Sequence, residues 1–463
     1  MTLRILFSTL HRLDLRTRMP FKYGIATMTE TPHVFVRLAV EVDGQQAAGI
    51  AADHLPPKWF TKDPAKAIDV EVAEMLRVIQ RAMDVSAGIA AESAFAAWQQ
   101  LYRHQDEWGR QEKLPPLLVH FGTSLVERAL IEAVCRAAGR PFARLIRESD
   151  FGIRLGDIHP ALAGKTTAEL LPAQPLDQII ARHTIGMADP LTDAEIPPAD
   201  RLDDGLPQSL EACVRTYGLQ HIKIKLSGSV ERDRERLGRI AGVMRQRDFA
   251  FTVDGNEHFR SAADFRRFWE ELTALAELRD FFRRMLYVEQ PLHRDAALDP
   301  AAGSMTDWPG RPPLIIDESD GDLTCLPRAL DLGYAGTSHK NCKGVFKGIA
   351  NACFLEHLRR QGKPVILSGE DLANIGPVAL LQDLAVCASL GIASVERNGH
   401  HYFAGLSMFP PEVQEQMLEA HGDLYQRSRA GWPALTIRDG YLSTTSVGNA
   451  PFGVGPVIDV SRF

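Results

Sequence analysis

The sequence predicts an α/β protein whose main body is a parallel sheet or barrel. Two observations predict it. From about residue 180 onward, short apolar strands alternate with amphipathic helices, the pattern of repeated βα units. Ahead of them, Val34, Val36, Leu38, Val40 and Val42 alternate with other residues and end at Asp43-Gly44, a hairpin signal, so the first region reads as strands.

The elements follow in order. Apolar residues at Ile68, Val72, Leu76 and Ile79 predict a helix from about Pro64 to Asp84. Leu125, Ala129, Leu130, Ala133, Val134 and Ala137 make one apolar stripe. A capping box at Ser124 and Glu127 would start that helix, and Gly139 and Pro141 would stop it. The βα series then runs helix 210–217, strand 221–226, a charged helix with Leu237 and Ile240, and strand 249–253. A helical block, 262–282, separates it from strands at 285–288 and 313–316. The aromatics of that block fall at helical spacing, which points to packing. A helix near 326–332, a short strand before Lys340, a helix 346–360 and a strand 365–367 complete the series. Asp189 to Pro207 is rich in Pro, Asp and Gly and reads as a long rim loop or an insertion.

Composition narrows the function classes. The 463 residues allow roughly two to three domains. With 45% apolar and 24% charged residues the chain is globular, not collagenous or disordered. A net charge of −7 gives no field that would gather nucleic acid or an anionic membrane. No run of about 18 apolar residues is present to span a bilayer. The stretch Pro377 to Val395 comes nearest and is broken by Gln382 and Asp383. The Arg-rich start, MTLRILFSTLHRLDLRTRMPF, lacks a secretory apolar core, which leaves a transit peptide as the alternative. Six scattered cysteines without a CxxC point to a reduced, cytoplasmic chain.

Four strand ends carry charge where a strand hands over to a loop. They are His221-Ile222-Lys223-Ile224-Lys225, Val253-Asp254-Gly255-Asn256, Val288-Glu289-Gln290-Pro291 and Ile316-Asp317-Glu318-Ser319. Side chains alternate along a strand, so Lys223 and Lys225 share a face. In a barrel the C-terminal strand ends converge on one rim. Three carboxylates there would repel unless a hard cation such as Mg²⁺ joined them through oxygen ligands. Each acid alone is ordinary turn chemistry, and a lone KxK is ordinarily a solvated strand face. Their order on consecutive βα units carries the argument.

That order resembles the enolase superfamily, in its mandelate racemase and muconate-lactonizing branch. The motifs KIK at 223–225, VDGN at 253–256, VEQP at 288–291 and IDES at 316–319 carry the resemblance, which runs from about residue 20 to about 410. The helix at 124–142 and the strand pair around HVFVRLAVEVDG are similar to the family's linking helix and capping domain. The resemblance implies a modified TIM (β/α)-barrel over 150–404. An N-terminal α+β capping domain over 1–145 would be completed by the C-terminal tail, 405–463, packing on it.

By the same resemblance, Asp254, Glu289 and Asp317 would hold Mg²⁺ and Lys225 would be a base. Lys223 would lower the pKa of Lys225 by like-charge repulsion. A second lysine of the muconate-lactonizing branch is best matched by Lys340, while a shifted register would place His339 or Lys343 there. The branch usually has a Gly pair after that lysine; here Gly344 stands alone before Val345-Phe346. The implied reaction is removal of the proton α to a substrate carboxylate by way of an enediolate. Racemisation, epimerisation or cycloisomerisation would follow, by an isomerase acting on a small-molecule carboxylate. An acid-sugar dehydratase is the alternative if His339 faces the metal, and a catalytically silent binding relative is the other. Asn256, Tyr23, His54 and Glu370 are candidate substrate contacts, Glu370 at the pocket mouth. The adjacent His400 and His401 read as structural or rim residues. A homo-oligomer is implied by resemblance alone.

Overall fold

The computed structural model describes residues 2–463. Strands β1 (Leu3–Tyr23), β2 (Ala26–Val42), β3 (Gln45–His54) and β4 (Ala90–Ala91) form an antiparallel sheet in the order β3-β2-β1-β4. Asp43 and Gly44 both have positive φ, 49° and 81°, as the two-residue turn joining β2 to β3 requires. The Arg-rich N-terminal segment is strand β1, whose Arg18 turns inward to Asp204 at 2.5 Å.

Helices α1 (Ile68–Ser86), α2 (Ala94–Gln111) and α3 (Pro116–Ala138) cover this sheet. Helix α3 starts eight residues before the expected Ser124 cap. Pro116 supplies its first turn, where a missing N–H costs nothing. Ser124 is therefore inside the helix, with its Oγ donating to the Phe121 carbonyl. Glu127 caps a different helix, accepting from the backbone N–H of Val345 (3.1 Å) and Phe346 (2.6 Å). Gly122 lies within this helix. A Cβ there would overlap the Val78 carbonyl, so it is the point where α1 crosses α3.

Eight strands then close a parallel ring: β5 (Gln178–Ile185), β6 (His221–Lys225), β7 (Ala250–Asp254), β8 (Met285–Glu289), β9 (Leu314–Ile316), β10 (Gly336–His339), β11 (Ile366–Gly369) and β12 (Ser394–Arg397). Each pairs with the next, and β12 pairs with β5. This is a modified (β/α) TIM barrel. The block expected as one helix over 262–282 breaks into Ala262–Thr273 and Arg279–Phe282. Its aromatics do pack: Phe281 stacks on Phe251 of β7 with ring centres 4.3 Å apart.

The segment after Phe403 touches both parts of the molecule. Tyr441–Ser443 adds antiparallel to β5. Phe463 lies against Phe35 of the sheet, and Arg136 of α3 donates to the carbonyls of Val454 and Pro456. The 189–207 loop is fastened down by Arg18, which reaches Asp204 and the carbonyls of Leu206 and Pro207. All six cysteines are free, and no helix among the described residues is long and apolar enough to cross a membrane.

Candidate active site

The barrel's rim brings the charged strand ends into one buried group. Alternation along β6 points Lys223 and Lys225 inward while Ile222 and Ile224 enter the surrounding core. Lys223 Nζ donates to Glu289 and to Glu396, both at 2.5 Å. It also lies 3.2 Å from Asp254 and 3.4 Å from Glu370. Lys225 Nζ donates to Asp254 Oδ2 at 2.9 Å and to Asn256 Oδ1 at 3.3 Å.

Across the ring, Lys340 follows β10, four strands away from β6. Its Nζ donates to Asp317 at 2.8 Å, lies 3.1 Å from Glu370, and sits 4.3 Å from the centre of the Trp59 ring. Lys343 also points inward, donating to Asp317 Oδ1 at 2.5 Å and to two backbone carbonyls. His339 points the other way. Its Nε2 meets Asn341 Oδ1 at 3.1 Å, and its ring occupies the space a side chain at Gly348 would need.

Gln290 holds the β8 and β9 ends in register. Its Oε1 accepts from the N–H of Asp317 (2.7 Å), and its Nε2 donates to Ser319 Oγ (2.6 Å). That explains the glutamine after Glu289, at a residue bent into positive φ of 36°.

Glu289, Asp317 and Glu370 each offer a carboxylate oxygen within 4.8 Å of the others. Glu289 Oε2 is buried without a hydrogen-bond partner. An all-oxygen set with an unfilled acceptor fits a hard cation such as Mg²⁺. Asp254 stands beside this set, with Oδ1 taken by the Asn256 N–H and Oδ2 facing the two lysines. Glu370 is thus not at the pocket mouth; it is 4% exposed and central.

Burial pushes Glu289 well above the usual carboxylate range, and Glu370 adds to it. Burial also favours neutral Glu370, but Lys223 and Lys340 outweigh it and hold that carboxyl well below its usual range. For Lys225, burial lowers the pKa, yet Asp254 more than offsets it. Lys223 works against Asp254 without prevailing, so Lys225 lies above the ordinary lysine value. The lowering of Lys225 expected from its lysine neighbour is therefore outweighed, because carboxylates surround the pair.

The strand ends and the cap line a cavity of about 70 Å³. Phe21, Tyr23, Met28, Pro56 and Trp59 come from the cap. Tyr23 donates to the Pro57 carbonyl at 2.8 Å, and Asn256 lines the opposite wall. His54 does not reach this cavity. It is fully buried under the cap, with Nδ1 3.1 Å from His33 and its ring stacked on Phe403. Alternation along β3 turns Asp53 to Arg128 of α3 and His54 to the other face of the strand.

Sequence reasoning missed Glu396, Glu318 and Trp59. Glu396 had a legible signal, since Ser394-Val395-Glu396 repeats the apolar-then-acid strand end seen three times before. Trp59 had none, because its place over Lys340 depends on how the cap docks. That docking uses Arg294, whose guanidinium binds Glu257 through two bonds (2.8 and 2.9 Å) and the carbonyls of Trp59 and Phe60.

By sequence, no family model and no curated protein matches the chain. Solved structures do. A dipeptide epimerase from Enterococcus faecalis, complexed with Mg and the dipeptide L-Leu-L-Tyr, superposes with a TM-score of 0.60 at 14% identity, covering 97% of this chain and 99% of that one. A muconate lactonizing enzyme from Pseudomonas fluorescens, complexed with muconolactone, gives 0.59 at 17% identity, covering 99% and 97%. The fold is that of the enolase superfamily. An enolase from Bradyrhizobium, complexed with magnesium and mandelic acid, shares this enolase-superfamily fold with a TM-score of 0.59 at 14% identity, covering 97% and 96%.

Proposed function

We propose that this chain is a Mg²⁺-dependent enolase-superfamily enzyme of the mandelate racemase and muconate-lactonizing type. It removes the proton α to the carboxylate of a small substrate. The observation that carries the reading is two lysines, Lys225 and Lys340, on opposite sides of a ring of buried carboxylates. Glu289 and Asp317 would hold the ion, and Asp254 and Glu370 are the two candidates for the third ligand. When bound, Mg²⁺ supplies the positive charge that offsets the second negative charge developing on the substrate carboxylate.

The chain's own groups do the rest. Lys225 takes the proton from one face of the α-carbon, and Lys340 delivers one to the other. Lys223 stays charged, held well above the usual lysine range despite burial by Asp254 and the neighbouring glutamates. It fixes Asp254, Glu289 and Glu396 in place. Trp59 covers Lys340 and keeps bulk water from its ammonium. Opposed lysines suit 1,1-proton transfer, that is racemisation or epimerisation, and the same pair serves cycloisomerisation. His339 faces the helix Val345–Arg360, so nothing here favours a dehydratase built on it.

Proton exchange in D₂O tests this. Protein with Mg²⁺ is given pooled N-acyl amino acids, dipeptides and sugar acids and followed by mass and NMR. Deuterium should enter the α-carbon of one class, and Lys225→Ala and Lys340→Ala should each lose exchange on one face. Exchange unchanged in both variants would refute the assignment of the bases.

A further inference from the structure

A second group of ligand-type side chains lies outside the catalytic ring. His183 sits on β5, where Arg182 and Thr184 turn into the barrel toward Ser368 and Glu396, so His183 points outward. It meets Cys213 of the helix Leu210–Tyr217 and His401 of the turn after β12. One donor atom from each of the three lies within 4.8 Å of the other two, and all three residues are buried. None of them lines the central cavity.

We propose that His183, Cys213 and His401 form a second metal site, for a borderline-soft ion of the Zn²⁺ type. The donor set is two imidazoles and a thiol, which selects zinc-like ions over Mg²⁺. The spacing fits. Tetrahedral Zn–S and Zn–N bonds place sulfur and nitrogen about 3.6 Å apart, and Cys213 Sγ lies 3.6 Å from His401 Nδ1.

The surrounding contacts orient the ligands. His183 Nδ1 is 3.1 Å from His400 Nε2, which fixes the ring and leaves its other nitrogen for the ion, as a hydrogen-bonded partner does for a ligating imidazole. The His401 carbonyl accepts from Arg18 of β1 at 3.0 Å. Binding forms an S–metal bond and releases the thiol proton to solvent, with no redox change. The ion would join β5, the helix after it and the turn after β12, the seam where the barrel closes and β1 of the cap docks.

The test uses full-length protein stripped with EDTA and titrated with Co²⁺ in excess Mg²⁺, so that the carboxylate ring is already supplied. One Co²⁺ per chain should bind with thiolate-to-cobalt charge-transfer absorption, be displaced by Zn²⁺, and lose that absorption in Cys213→Ser. His401→Asn should weaken the Co²⁺ affinity at least tenfold. Absence of the charge-transfer band in the native protein, or its persistence in a folded Cys213→Ser, would overturn the proposal. The native titration decides the matter even if the serine variant fails to fold.

Discussion

Glu318 is a residue whose position costs the fold something. Its Oε2 is buried with no hydrogen-bond partner. Burial, aided by Asp317, Glu257 and Asp254, pushes its pKa from 4.5 up to about 8. Between those two values the folded chain keeps a proton that the unfolded chain has lost. Stability therefore falls as pH rises through that window. In metal-free protein, Glu318→Gln should flatten the decline of Tm between pH 5 and pH 8 and raise Tm at pH 8. A decline as steep as the native one would show that Glu318 ionises normally.

At the scale of elements, two glycines mark where pieces of the cap touch. A Cβ at Gly122 would overlap the Val78 carbonyl of α1, and one at Gly49 of β3 would overlap the Ala129 carbonyl of α3. Gly122→Ala and Gly49→Ala should each destabilise by roughly 1–3 kcal/mol through overpacking. Gly238 lies in the helix Val230–Met244 with open space around its missing Cβ. Gly238→Ala should instead stabilise by roughly 0.5–1 kcal/mol, the helix-propensity difference. Urea titrations of the three variants measure both signs. Equal effects would mean that backbone propensity, not the crossing, governs these sites.

For the whole molecule, the ring of carboxylates at the barrel rim concentrates negative charge that the chain offsets with its own lysines. A Mg²⁺ ion bound only by the folded state stabilises by about 2.7 kcal/mol at a hundred times its dissociation constant. Mg²⁺ should therefore raise Tm in the native protein and much less in Glu289→Gln. The third ligand is read the same way. If Glu370 binds the ion, Glu370→Gln loses the Tm shift while Asp254→Asn keeps it; the reverse result assigns Asp254. Equal loss in both would place the ion between all four carboxylates.

Much of this protein was legible in its sequence because strand periodicity is local. Alternation put Lys223 and Lys225 on one face, and acids after apolar strands put Asp254, Glu289 and Asp317 on one rim. The βα units pointed to a parallel sheet or barrel, and the family resemblance chose the barrel. What the sequence could not decide depended on contacts between residues far apart in the chain. Glu127 caps a helix 218 residues away, and His54 turns under the cap. Glu370 enters the ring because β11 stands between β10 and β12. Trp59 covers Lys340 only because Arg294 holds its loop to the barrel. Spacing along the chain determines which face a side chain takes; only the closed fold decides which other faces it meets.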